Sequence, residues 1–173
     1  WARDVWINKG ANEIVPIKTF PFPVDIERFK PLDNTERNEV YIYFKRRRPD
    51  ELEYLQNFLN NKGIQYKIFN YVTKYKETDY LNILQHAKYG IVLDAHESQG
   101  FATQEALSCN VPLLVWNVTS MQQEYGSGGR FAGVYGSSIG YWDERCGEYF
   151  YNKEEFEEAF NKFISKLDTY KPR

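Results

Sequence analysis

Two acidic residues, Glu97 and Glu105, stand with seven residues between them in the stretch IVLDAHESQGFATQEALSCNVPLLVW, residues 91–116. Carboxylates accept hydrogen bonds from vicinal hydroxyls. Between the two lies Gly100, which marks the start of a helix-like segment. The first backbone amides there, those of Gly100, Phe101 and Ala102, have no partner inside a helix and make a ready site for an anion. A ligand with hydroxyls beside a phosphate suits both features, and a nucleotide sugar is such a ligand. A second charged group lies upstream, where Lys45, Arg46, Arg47 and Arg48 follow directly on an apolar run. Four cations at the end of a strand could clamp a diphosphate. If the turn stays extended, Lys45 and Arg47 project to the same side, and these two are the favoured pair. The plainer alternative is that Glu97 and Glu105 are solvated charges beside an ordinary helix and that the cations form a solvated basic turn.

For these groups to meet, the chain must bring several elements together. Residues 91–116 read as strand, loop, helix and strand: an apolar run from Ile91, a polar loop ending at Gly100, a helix that turns at Asn110, and a second apolar run. Val40-Tyr41-Ile42-Tyr43-Phe44 is apolar on both faces, as a central parallel strand should be. Pro49-Asp50-Glu51 opens a helix whose Leu52, Leu55, Phe58 and Leu59 follow helical spacing, and Gly63 ends it. Residues 64–69 give a second strand, and residues 79–88 another amphipathic helix that Gly90 closes. The glycine-rich residues 120–140 read as a flexible loop able to close over a ligand, with one strand near 131–135. Tyr141-Trp142-Asp143 reads as the last strand and Cys146-Gly147 as a turn, before a final amphipathic helix through Phe156, Phe160 and Phe163. The alternation predicts an α/β, Rossmann-like domain with a mainly parallel sheet and helices on both faces. Open sheets of this kind bind ligands in the crevice beyond the carboxyl ends of their strands.

Glu97, Gly100, Glu105-Ala106-Leu107 and Val111-Pro112 resemble the E-x7-E signature of retaining GT-B glycosyltransferases, typified by family four. The resemblance implies the C-terminal, donor-binding half of a GT-B fold. It implies that Glu97 contacts the donor sugar, Glu105 the ribose, and the amides of Gly100, Phe101 and Ala102 the sugar and phosphate. It also implies that the basic turn, through Lys45 and Arg47, neutralises the leaving nucleotide, and that Tyr71 and Val72 border the base. Two positions depart from the pattern: Gln99 stands where an aromatic residue is common, and Asn110 replaces the usual glycine. Asn visits the left-handed region readily. His96 can hydrogen-bond a donor hydroxyl, orient the loop, or be merely structural; with no second histidine or cysteine nearby, no metal is expected. No Asp-x-Asp pair occurs. Phe20-Pro21-Phe22-Pro23-Val24-Asp25-Ile26-Glu27-Arg28-Phe29-Lys30-Pro31 resembles the family's inter-domain connector. Residues 1–38 are therefore read as connector and the end of a missing N-terminal domain, and residues 39–173 as the nucleotide-sugar-binding domain. The acceptor, whether glycan, lipid or protein, would be held by the missing domain, so this chain alone is expected to bind donor weakly and transfer nothing.

At 173 residues and 20.5 kDa the chain can bury a sizeable core without staples. A formal net charge of -2 with 27% charged residues gives no reason to expect a nucleic-acid partner. Cys109 and Cys146 fit neither a metal spacing nor a disulfide framework, no signal peptide is read, and no apolar run is long enough to span a bilayer, so a reducing, cytoplasmic compartment is the expectation. Two rival functions stay open. One is a nucleotide-sugar epimerase of the same fold, using His96, Glu97 and Asp94 as acid/base groups. The other is a non-catalytic α/β interaction module.

Overall fold

A computed structural model describes residues 1–173. Its central strands are the runs that are apolar on both faces, as burial on both sides requires. β1 (Glu39–Lys45) and β3 (Ala87–Asp94) lie side by side, in register from Tyr41↔Gly90 to Lys45↔Asp94. β2 (Lys67–Asn70) adds to the free edge of β1, while β4 (Leu113–Trp116) and β5 (Gly147–Phe150) continue beyond β3. All pairings are parallel and the strand order is β2-β1-β3-β4-β5.

Alternation along the strands divides the core in two. α2 (Pro49–Asn61) and α5 (Phe156–Ser165) cover the face carrying Ile42, Phe44, Ile91, Leu93 and Leu114. α3 (Glu77–His86) and α4 (Phe101–Ser108) cover the face carrying Tyr41, Tyr43, Phe69, Val92 and Val115. The domain is thus a doubly wound, Rossmann-like α/β fold. The chain winds outward from β1 to β2, then crosses back to β3, so the winding reverses between β1 and β3. Their carboxyl ends flank the crevice where sheets of this type bind ligands. The heavy aromatic load is packing: Tyr41, Phe69, Tyr75 and Tyr80 meet largely edge to face. No helix is long and apolar enough to cross a membrane.

Several local expectations give way to tertiary packing. Gly90 does not end a helix but sits inside β3, because the Tyr41 ring occupies the space a side chain would need: a Cβ there would lie 2.4 Å from the ring. The last strand is not 141–143 but Gly147–Phe150. Gly147, at φ +134, lets the backbone press against Leu113, whose carbonyl oxygen lies 2.0 Å from where a Cβ would stand. Near 131–135 only a single bridge forms, Ser120↔Tyr135.

Residues 1–38 contain no strand. They begin with α1 (Ala2–Asn8), ahead of the prolines that break regular structure. At Asp25 the side chain accepts from the amides of Glu27 and Arg28, each at 3.1 Å, and turns the chain. That turn drives Phe29 into the α3/α4 side of the core.

Candidate functional site

Lys45 ends β1 and Asp94 ends β3, in register with each other. They follow Tyr43 and Val92 by two residues, so both point to the α3/α4 side. The Lys45 ammonium pairs with the Glu97 carboxylate, and these side chains are 16% and 18% exposed. Lys45 Nζ also stands 4.7 Å from the centroid of the Tyr71 ring, a cation–π contact that fixes the ammonium over the loop after β2. Asp94 is buried, and neither of its carboxyl oxygens has a hydrogen-bond partner. Burial pushes this carboxyl up to about 7, against the pull of Lys45, the backbone amides of Ala95 and His96, and Arg47.

The amino end of α4 faces the same loop. Gly100 adopts φ +72, and no side chain caps the helix, so the leading amides keep open donors. Ala102 gives its carbonyl to the Tyr80 hydroxyl at 2.9 Å, and the partly exposed Phe101 ring packs on Phe22 at 6.3 Å. Asn110 takes the left-handed turn at φ 57. Glu105 is half-buried on α4 and makes no ion pair. Desolvation raises its carboxyl to about 7, Glu77 adds to the rise, and Arg28 opposes it. Tyr71 and Val72, with Arg46, Lys74 and Tyr75, line an adjoining groove of about 560 Å³.

Arg47 does not join Lys45. The turn is not extended, because Arg46 sits at φ 50 and rotates the chain. Arg47 is carried into the interior, 2% exposed. There its Nε and Nη2 bind Glu51 at 2.9 and 2.6 Å, and its Nη1 donates to the carbonyls of Trp116 and Asp94 at 3.0 and 3.3 Å. It braces the ends of three strands and leaves no free donor face for a phosphate. Arg46 turns to Glu124 at 2.9 Å and Arg48 to Asp50 at 2.9 Å. Of the four cations, Lys45 alone pairs with Glu97.

His96 is likewise engaged elsewhere. Its Nε2 lies 2.9 Å from Glu124 Oε2, and its ring meets the edges of Trp1 and Phe131. Glu124 thus gathers Arg46 and His96 together, and the amide of Tyr125 donates to the Arg46 carbonyl at 2.8 Å. The glycine-rich loop is tied to the basic turn. Nothing in the sequence signals this, since Glu124 sits in an unremarkable polar run.

The loop after β3 is held from behind. Glu97 donates its amide to Ser137 O at 2.8 Å and accepts from Trp1 Nε1 at its carbonyl at 3.0 Å. Ser138 Oγ donates to Asp94 O at 2.8 Å, and Asn117 Oδ1 accepts from the Ser138 amide at 2.8 Å and Ser137 Oγ at 3.1 Å. Asn117, formally a glycosylation sequon, is therefore a buried loop anchor.

No group of three or more His, Cys, Asp or Glu side chains is placed to hold a metal ion. Compared with models of known families and with curated proteins, the chain has no significant match. Chemically, the carboxyl ends of β1 and β3 offer one ammonium, open helix amides, a paired carboxylate and a buried lone one, while Glu105 lies further along α4 beside Glu77 and Arg28.

Proposed function

We propose that the chain binds a nucleotide-diphosphate sugar and supports retaining transfer of the sugar, as the donor-binding half of a GT-B glycosyltransferase. One observation carries this reading: Lys45, Glu97 and Tyr71 meet at the carboxyl ends of β1 and β3, beside the open amino end of α4. Lys45 has three donors and Glu97 takes one, so the pair positions the ammonium without using it up. A diphosphate at this place receives Lys45 and the amides of Phe101 and Ala102. Donors already aimed at the leaving phosphate stabilise the charge that grows on it during transfer. Glu97 then accepts from a sugar hydroxyl, Glu105 from the ribose diol, and Tyr71 and Val72 flank the base. Arg47 acts as a brace and not as a phosphate ligand. The acceptor, and the N-terminal domain that would hold it, complete the reaction. A reducing, cytoplasmic setting suits the free, buried Cys109 and Cys146.

The test is a panel of UDP-, ADP- and GDP-sugars followed by calorimetry and thermal shift, since a ligand that binds only the folded state raises its melting temperature. Binding by at least one member is expected, with loss in Lys45→Ala and Glu105→Ala while circular dichroism shows the fold intact. Silence from the whole panel at millimolar concentration sinks the reading. A nucleotide-sugar epimerase is the second reading. It is favoured by Asp94, a buried carboxyl raised to about 7, where an acid/base group is most effective. Product analysis separates the two: transfer or hydrolysis supports the first, a new sugar isomer the second.

A further inference from the structure

No side chain hydrogen-bonds to or pairs with the carboxyl of Asp94, and the donor-binding reading gives it no task. It stands in register with Lys45 on one sheet face, 1% exposed, with neither oxygen bonded to a side chain and only the amides of Ala95 and His96 close enough to favour its charge. Tyr43 and Lys45 face it from β1, Arg47 grips its own carbonyl from the turn beyond, and His96 and Glu97 follow it in the loop. The first turn of α4 brings no acidic residue. Lys45 gives its ion pair to Glu97 and leaves Asp94 without one. When both acids are ionised, two carboxylates stand against one ammonium, at the place a diphosphate has to occupy. A third anion in a water-poor crevice is costly, and the least costly relief is protonation of the acid whose charge has no partner.

We propose that Asp94 adjusts the charge of the crevice: it takes one proton from solvent when a diphosphate diester binds at Lys45, so that the occupied site holds Asp94 as a neutral acid. This rests on the nucleotide-sugar reading. Asp94 is on this account a positioning residue that acts through Lys45, and it sets how much negative charge the crevice admits.

UDP-glucose, ADP-glucose and GDP-glucose are suitable probes, because their diphosphate diesters do not titrate near neutrality. Each is titrated into the whole chain by calorimetry from about pH 6 to about pH 8.5, in two buffers of different ionisation enthalpy. The expected result is a buffer-dependent heat matching uptake of up to one proton, and an affinity that falls by nearly tenfold per pH unit above about pH 7. Asp94→Asn is expected to lose that uptake, keeping only the pH dependence that Glu105, also raised to about 7, contributes, and to bind at about pH 8 at least as tightly as the wild type. Uptake that survives Asp94→Asn, or that disappears in His96→Gln or Glu105→Gln instead, places the proton elsewhere and overturns the assignment. Those two variants keep the test decisive should Asp94→Asn fail to fold: uptake persisting in both supports Asp94. A diester that binds equally at every pH, with no buffer dependence, overturns the Asp94 role and leaves the donor-binding reading standing. Failure of all three probes overturns both.

Discussion

Lys45 reaches the crevice through simple alternation: Tyr41, Tyr43 and Lys45 share one face of β1, and only the last stands past the cover of α3 and α4. Its partner Glu97 and the left-handed Gly100 are legible in the sequence, because a strand, a polar loop and a helix in that order leave little freedom in where those residues sit. Asp94 is legible only as an acid near the end of a strand. Its isolation depends on Lys45 being drawn to Glu97. A pH signature of stability follows. A carboxyl raised in the folded state keeps its proton where the unfolded chain has lost it, so stability is highest at low pH and falls as pH rises from about 4 to about 7. Glu105, raised likewise, adds a fall over the same range, so Asp94→Asn is expected to reduce the fall without abolishing it and to exceed the wild type at about pH 8 by roughly 2–4 kcal/mol. Urea unfolding at several pH values measures it, and equal stability of the two proteins at pH 8 would contradict an ionised, unpartnered Asp94.

At the scale of elements, Arg47 is the brace that joins β1, β3 and β4 to α2. Replacing it with Met leaves Glu51 without its cation and two buried carbonyls without their donor. Such a break costs roughly 3–5 kcal/mol, read as a lowered denaturation midpoint. Within β3, Gly90→Ala forces a methyl against the Tyr41 ring, which is fully buried and cannot yield. Overpacking of this kind costs roughly 1–3 kcal/mol or more. The tie between Glu124, Arg46 and His96 is of a different kind: Glu124 is 12% exposed and joins a half-exposed Arg46 to a largely covered His96. Glu124→Ala is expected to lower the melting temperature modestly while speeding tryptic cleavage at the exposed Arg130. An unchanged cleavage rate would mean that the loop is held by something else. Residues 120–140 show why a glycine-rich run alone is a poor guide: permissive backbone says what the chain can do, and the contacts at Glu124 decide what it does.

Over the whole molecule, the doubly wound sheet places its only change of winding direction between β1 and β3, and the crevice follows from that. Arg28 and Phe29 tie the end of the N-terminal stretch to this domain. Phe29 is 3% exposed and lies against the α3/α4 side of the core, Arg28 pairs with Glu77 at 2.9 Å, and Arg173 donates to the Phe29 carbonyl at 3.2 Å. Phe29→Ala is accordingly expected to destabilise the entire domain by roughly 3–5 kcal/mol, whereas a loose connector would tolerate it almost without cost. A single unfolding transition that moves as a whole in this variant is the measurement to make.

The sequence alone determined the parallel α/β architecture, the central strands and the helix beginning at Gly100. Each of these depends on periodicity, apolar content or chain order, which are local properties. Only the tertiary structure decided that Arg47 is a buried brace, that Glu124 ties the loop to Arg46 across 78 residues of chain, that β5 starts at Gly147, and that Asp94 is left without a partner. The physical reason is common to all four. Side chains choose among partners brought near by topology, and a left-handed residue such as Arg46, or a backbone pressed close at Gly147, redirects the chain in a way that no pattern of neighbouring residues encodes.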